Sequence, residues 1–218
     1  MVRLMIDDLY DTMPWDKLDA VVFDVGNVLL SFAPEKLLRE YLPGETALHA
    51  RLMNKIFRTP YWMMLDHGLI TTEEAVSAMA GRDRELLPLI RTLMTSWPDL
   101  KEVIPEGVNA LRACKAHGKR LYVLSNYHGP SFDHVRKKYD FFNLFDGFVV
   151  SASVKLLKPD PAIYDRVTDE FGLEPARTLF IDDTPINIEG ALHAGWQGFC
   201  LNEPGKLARF IGEEETLC

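Results

Sequence analysis

The chain has 218 residues, 47% hydrophobic and 26% charged, with a formal net charge of -8. That is the composition of a soluble globular protein with room for one sizeable domain, or one core domain carrying an insertion. The acidic balance lacks the electrostatic footprint of a nucleic-acid binder, and no stretch approaches the roughly 20 apolar residues of a membrane span.

Residues 1–18 read as an N-terminal extension without the long apolar segment of a signal peptide. Cys114, Cys200 and Cys218 are odd in number and have no paired spacing. They fit buried or incidental thiols of a reducing compartment, so the expected setting is the cytoplasm. Val21 to Leu30 then opens the folded region as a short apolar run interrupted by Asp24 and turning at Gly26-Asn27, the pattern of a core strand in a parallel sheet.

From about residue 34 to 98 the periodicity is helical. Leu37, Leu38, Tyr41 and Leu42 form one stripe, and Leu48, Leu52, Met53, Ile56 and Phe57 another. Thr71 and Glu74 have capping-box spacing and open a third helix; Leu86 to Trp97 suggests a fourth. Pro105-Glu106 starts a helix that Gly118 ends. Strands follow at Arg120–Leu124, Gly147–Val150, Thr178–Ile181 and Gln197–Leu201, with helices between them near Phe132–Tyr139, from Asp160-Pro161, and from Thr184 to about Ala194. This order predicts an α/β fold, a doubly wound, Rossmann-like parallel sheet with an α-helical insertion after its first strand. The expected domains are a core of residues 19–32 and 99–218 and a helical domain of residues 33–98.

Ligands in such sheets bind beyond the carboxyl ends of the strands. The polar residues expected there are Asp24, Ser125-Asn126, Lys158 and Asp182-Asp183. Together they offer a nucleophile, hydroxyl and amide donors, a fixed cation, and a carboxylate pair able to hold a hard metal ion such as Mg2+. Phosphoryl transfer needs such a set, because a phosphate dianion approaches a carboxylate only where positive charge offsets the repulsion. Ser125 and backbone N–H groups near Val25 and Gly26 would hold the phosphoryl oxygens. Taken singly, each of these residues is more simply a turn former, a helix cap or a solvated lysine; their ordered recurrence at strand ends changes that reading.

Four segments, Phe23-Asp24-Val25-Gly26-Asn27-Val28, Leu124-Ser125-Asn126, Lys158-Pro159-Asp160-Pro161 and Phe180-Ile181-Asp182-Asp183-Thr184, resemble in order and spacing the motifs of the haloacid dehalogenase superfamily, subfamily I with a C1 helical cap. The segment Trp62 to Thr71 is similar to the cap of the branch that holds bacterial alpha-D-glucose-1-phosphate phosphatase and the N-terminal phosphatase domain of epoxide hydrolase. The resemblance implies an enzyme, a Mg2+-dependent hydrolase of a small phosphorylated metabolite, a sugar phosphate first, working as a monomer or homodimer. It makes Asp24 the nucleophile that forms an aspartyl-phosphate, with Ser125 and Lys158 as its catalytic partners. The metal would be held by Asp24, the Gly26 carbonyl and Asp183, with Asp182 a further ligand or an outer partner. Gly26, Asn27, Ser125, Asn126 and His128 would face the substrate.

Gly26 departs from the superfamily's phosphatase pattern. Most members carry there an aspartate that protonates the leaving group and later activates water, help worth about 10²–10⁴-fold. Three alternatives stay open. The acid comes from elsewhere, with His128, Asp66 and His67 as candidates; the substrate has a good leaving group; or the chemistry is that of a dehalogenase or a phosphonatase, the latter needing a Schiff-base lysine for which Lys55 is the candidate. A member that binds phospholigands without turnover is the remaining class.

Overall fold

The computed structural model describes residues 17–201. Cys218 and nearly all of the expected N-terminal extension lie outside the described residues. Five strands form one parallel sheet: β1 (Ala20–Phe23), β2 (Arg120–Ser125), β3 (Gly147–Val150), β4 (Thr178–Asp182) and β5 (Gln197–Cys200), in the order β3-β2-β1-β4-β5. The period of two along each strand sorts the side chains to two faces. Val21, Phe23, Leu121, Val123, Leu179 and Ile181 enter one hydrophobic cluster, while Ala20, Val22, Tyr122, Leu124 and Phe180 enter another. All four residues of β1 are fully buried, which is why this strand reads as an uninterrupted apolar run. Val21, Val22 and Phe23 each contribute about 1.5–3 kcal/mol by leaving water.

The region between β1 and β2 supplies α1 (Pro34–Tyr41), α2 (Thr46–Leu52), α3 (Pro60–Asp66), α4 (Thr72–Ala80), α5 (Leu87–Ser96) and α6 (Pro105–Ala116). After β2 come α7 (Gly129–Lys138), α8 (Ser151–Val154), α9 (Pro161–Phe171) and α10 (Pro185–His193). The helices α1 to α5 bury a cluster of their own, centred on Leu37, Leu38, Leu52, Ile56, Ile90 and Leu93. The stripe that begins at Leu48 continues past α2 through a π-helical turn, Met53–Phe57. At the start of α4, Thr71 Oγ1 accepts from the Glu74 N–H and the Glu74 carboxylate accepts from the Thr71 N–H, closing the capping box. Asp160 caps α9 through the Ala162 N–H.

Two chain crossings join this helical block to the sheet, and they pair with each other. Ser31 N–H donates to the Glu102 carbonyl at 2.8 Å and Ile104 N–H to the Leu29 carbonyl at 2.9 Å, around an antiparallel bridge of Leu30 with Val103. Gly107 in α6 lets that helix lie against the turn after β1; a Cβ there would fall 1.8 Å from the Val28 carbonyl oxygen. Gly68, at φ +68°, does the same for the block, where a Cβ would come within 2.2 Å of the Ala152 carbonyl oxygen in α8.

Candidate active site

The carboxyl ends of β1, β2 and β4 meet at one edge of the sheet, and Asp24 sits at its centre. Its N–H donates to the Ile181 carbonyl at 2.9 Å, which continues the β1–β4 pairing by one residue and points the side chain out of the strand end. Asp24 Oδ1 accepts from Ser125 Oγ at 2.7 Å and from Lys158 Nζ at 3.0 Å. Burial and the neighbouring Asp182 push the Asp24 carboxyl up to about 6, against the pull of Lys158 and Ser125.

Lys158 is buried and shared. Its ammonium also donates to Asp182 Oδ2 at 2.6 Å and to the Leu124 carbonyl at 3.1 Å. Burial opposes its charge, but Asp182 and Asp24 outweigh it and hold the group above its ordinary value. The Lys158–Pro159 peptide is cis. Asn126 fixes this loop by binding both polar groups of the Lys158 backbone, accepting from its N–H at 2.9 Å and donating to its carbonyl at 3.0 Å. Asn126 also borders the cavity, so its amide holds the Lys158 loop at the edge of that space.

Asp182 is fully buried, and its oxygens accept from Lys158, the Thr184 N–H at 2.8 Å and the Asn187 amide at 3.0 and 3.1 Å. Of the two roles open to it, outer partner suits this saturation better than direct ligand. Asp183 faces the cavity instead, with Thr184 Oγ1 on one oxygen and the Asn27 amide on the other at 3.0 Å. Asn27 is left-handed at φ 52°, a conformation Asn tolerates better than most residues. Its side-chain Oδ1 accepts from the Phe32 N–H at 2.9 Å. Asn27 lines the cavity as well, and both ends of its amide hold Asp183 and the turn.

Oxygens of Asp24, Asp182 and Asp183 lie within 4.8 Å of one another. Three carboxylates against the single ammonium of Lys158 leave two formal negative charges unbalanced. Clustered carboxylate oxygens with that deficit are the donor set of a hard divalent cation. Gly26 lines the cavity in an ordinary backbone conformation, and a Cβ there would meet nothing within 4 Å. The absence of an acid at this position is therefore not imposed by space.

The cavity, about 230 Å³, has a second wall that the strand-end argument did not foresee. Phe32 and Trp97, from the two crossings, stack edge-on at 5.0 Å, and Trp62 of α3 meets Trp97 at 5.9 Å. Lys101 lies buried in this wall, its ammonium 4.5 Å from the Trp97 ring and 5.2 Å from those of Phe32 and Tyr127, donating to the Ser31 carbonyl at 3.2 Å. Burial lowers its pKa to about 8, with Asp24 and Asp66 pulling the other way. His128 is buried beside it, with Nδ1 3.3 Å from Asp66 Oδ1. Of the candidate acids, Asp66 and His128 line the cavity, whereas His67 Nε2 pairs with the Lys155 carbonyl at 2.9 Å and is not among the lining residues. Lys55, the lysine named for the phosphonatase reading, is likewise not a lining residue and is ion-paired with Asp83 at 2.7 Å.

Known proteins share this fold. The chain belongs to the haloacid dehalogenase-like hydrolases, whose family profile matches residues 18–195. It is 25% identical over 189 residues to a sesquiterpene phosphatase of Aspergillus oryzae, covering 84% of this chain and 90% of that protein. To (S)-2-haloacid dehalogenase 4A of Burkholderia cepacia it is 25% identical over 207 residues, covering 94% and 84%. Some relatives are longer: the chain spans 35% of a drimenol cyclase of Aspergillus calidoustus. Among solved structures, a family enzyme from Bacteroides thetaiotaomicron in complex with magnesium and inorganic phosphate superposes with a TM-score of 0.64 at 21% identity, over 84% of this chain and 93% of that one. The protein is therefore a hydrolase of this family, and the relatives include both phosphatases and dehalogenases.

Proposed function

We propose that this enzyme is a Mg2+-dependent phosphohydrolase of a small phosphorylated metabolite, with Asp24 as nucleophile. One observation carries the reading: Asp24 shares Ser125 and Lys158 as donors and stands in a three-carboxylate cluster that is short of positive charge. Asp24 attacks phosphorus and the bond to the leaving oxygen breaks; water then attacks the aspartyl-phosphate and restores the carboxylate. Lys158 keeps Asp24 charged and in place, and the Ser125 hydroxyl orients it toward the incoming phosphoryl group. Asp24, Asp183 and the Gly26 carbonyl would hold Mg2+, which when bound supplies the positive charge that a phosphate dianion needs beside a carboxylate.

A cavity of about 230 Å³ suits a compact substrate, and its Trp62 and Trp97 walls suit a ring, so sugar phosphates are the first class to test. The reading includes a helical block, residues 33–98, acting as a cap over the core in a cytoplasmic monomer or homodimer. Among the described residues no helix is long and apolar enough to cross a membrane.

The test is turnover of para-nitrophenyl phosphate with and without Mg2+, in the unaltered protein and in Asp24→Asn. The expected result is Mg2+-dependent release of phosphate that falls at least about 10⁴-fold in the variant. Turnover that survives both changes overturns the reading, and halide release from 2-haloacids in place of phosphate release would move the enzyme to the dehalogenases.

A further inference from the structure

We propose that His128, oriented by Asp66, is the general acid and base that Gly26 does not provide. The inference rests on the phosphohydrolase reading and names the proton carrier within it. Gly26 offers the cavity only backbone groups. The same cavity holds His128, three residues beyond Ser125, and Asp66, the last residue of α3.

The pair has the build of a catalytic dyad. Nδ1 of His128 faces Asp66 Oδ1 at 3.3 Å, which leaves Nε2 as the ring nitrogen that can serve a substrate. A carboxylate on one imidazole nitrogen fixes the tautomer and stabilises the imidazolium, which is the task of the buried acid in a histidine-based site. Trp62 holds the ring edge-on at 5.4 Å, and Tyr127 flanks it at 5.9 Å.

The two backbones are pinned at one point. The buried Ser151 hydroxyl donates to the Asp66 carbonyl and accepts from the Tyr127 N–H at 2.9 Å. The dyad is thereby assembled from the helical block and the sheet together. The other charged groups facing this space are Lys101, from the second crossing, Asp24, from the end of β1, and Asp183, from the end of β4. Burial holds the Asp66 carboxyl above its ordinary range, while His128 and then Lys101 pull it down.

The proton balance closes over one cycle. As the Asp24 oxygen bonds to phosphorus, the bond from phosphorus to the leaving oxygen breaks, and that oxygen takes the proton from His128 Nε2. Neutral imidazole then removes a proton from water, whose oxygen attacks phosphorus. The bond to the Asp24 oxygen breaks, and imidazolium and carboxylate are both restored.

The experiment compares leaving groups. kcat/KM is measured with para-nitrophenyl phosphate, which leaves without help, and with the alkyl phosphates glucose 6-phosphate and glycerol 1-phosphate, which need a proton. His128→Gln is expected to lose about 10²–10³-fold on the alkyl phosphates and less than about tenfold on the aryl phosphate. Asp66→Asn is expected to show the same selectivity in kcat/KM, since the hydrolysis of the aspartyl-phosphate is common to both substrates and enters only kcat. Adding Gly26→Asp to the His128→Gln protein is expected to restore alkyl turnover at least about tenfold, since a side chain at residue 26 has open space. Equal losses on both substrate classes that Gly26→Asp does not restore overturn the dyad. So does leaving-group-selective loss in Lys101→Gln with none in His128→Gln. If the unaltered protein shows no Mg2+-dependent turnover even of the aryl phosphate, the phosphohydrolase reading falls and takes the dyad with it.

Discussion

On the sheet side of the cavity, Asp24, Ser125 and Asp183 are held in hydrogen bonds set by strand ends and by the loop that carries Lys158. On the opposite side, Phe32, Trp97 and Lys101 come from two crossings, and Trp62 and Asp66 from a helix of the block. The first region is polar, saturated and tied to the sheet, as a site for a phosphoryl group must be. The second is aromatic and depends on how the block meets the core. The contrast assigns chemistry to one region and choice of leaving group to the other, so substitutions on the two sides should have different signatures.

The largest effect is expected on the sheet side. Lys158→Met leaves Asp24 and Asp182 buried together without their shared cation, a change of about 3–5 kcal/mol in stability, together with loss of turnover. Urea denaturation at pH 8 measures it. A change below about 1 kcal/mol would show that the two carboxylates do not depend on that charge.

Next comes a pH effect whose sign is fixed. Because the folded-state pKa of Asp24 is raised from 3.8 to about 6, the fold favours the neutral acid. That contribution is fully present below the unfolded pKa and is lost as pH rises through about 6. The amide of Asp24→Asn does not titrate, so the metal-free variant should gain about 2 kcal/mol relative to the unaltered protein between pH 4 and pH 8. Melting curves across that range test it; a difference independent of pH would mean that burial does not govern Asp24.

A smaller effect is expected from Asn27→Gly, which keeps the left-handed turn but removes the amide that steadies Asp183. Mg2+ affinity, read as the Mg2+-dependent rise in melting temperature, should weaken about tenfold. Unchanged affinity would remove Asp183 from the account of the metal.

The two regions also differed in how far they could be read from the chain. Asp24, Ser125 and Asp182-Asp183 follow apolar strands directly, and a period of two with a turn signal places such residues at one sheet edge. The succession of strands along the chain and the helical insertion after the first of them were legible for the same local reason. Lys101 was not. It lies in the unremarkable stretch Leu100-Lys101-Glu102, and what carries it into the cavity is the pairing of that stretch with Ser31, seventy residues earlier in sequence. The only available hint was a lone lysine just after Trp97-Pro98, where the chain must return beside Phe32. Asn27 and Asn126 were visible as polar residues, but the direction of each amide is set by a positive φ in one case and by the Lys158 loop in the other. The capping box of α4 was legible because Thr71 and Glu74 are neighbours on one turn. The pairing of Asp66 with His128 joins residues 62 apart, and it depends on the docking of two layers.

The central claim is that Asp24 becomes phosphorylated during turnover. Acid quenching of the enzyme during steady-state turnover of para-nitrophenyl phosphate with Mg2+, followed by proteolysis and mass spectrometry, tests it directly. The account predicts that the peptide containing residue 24 carries one phosphoryl group, and that the adduct is absent in Asp24→Asn. Undiminished turnover with no adduct on that peptide, or an adduct on another residue that persists in the variant, would contradict it.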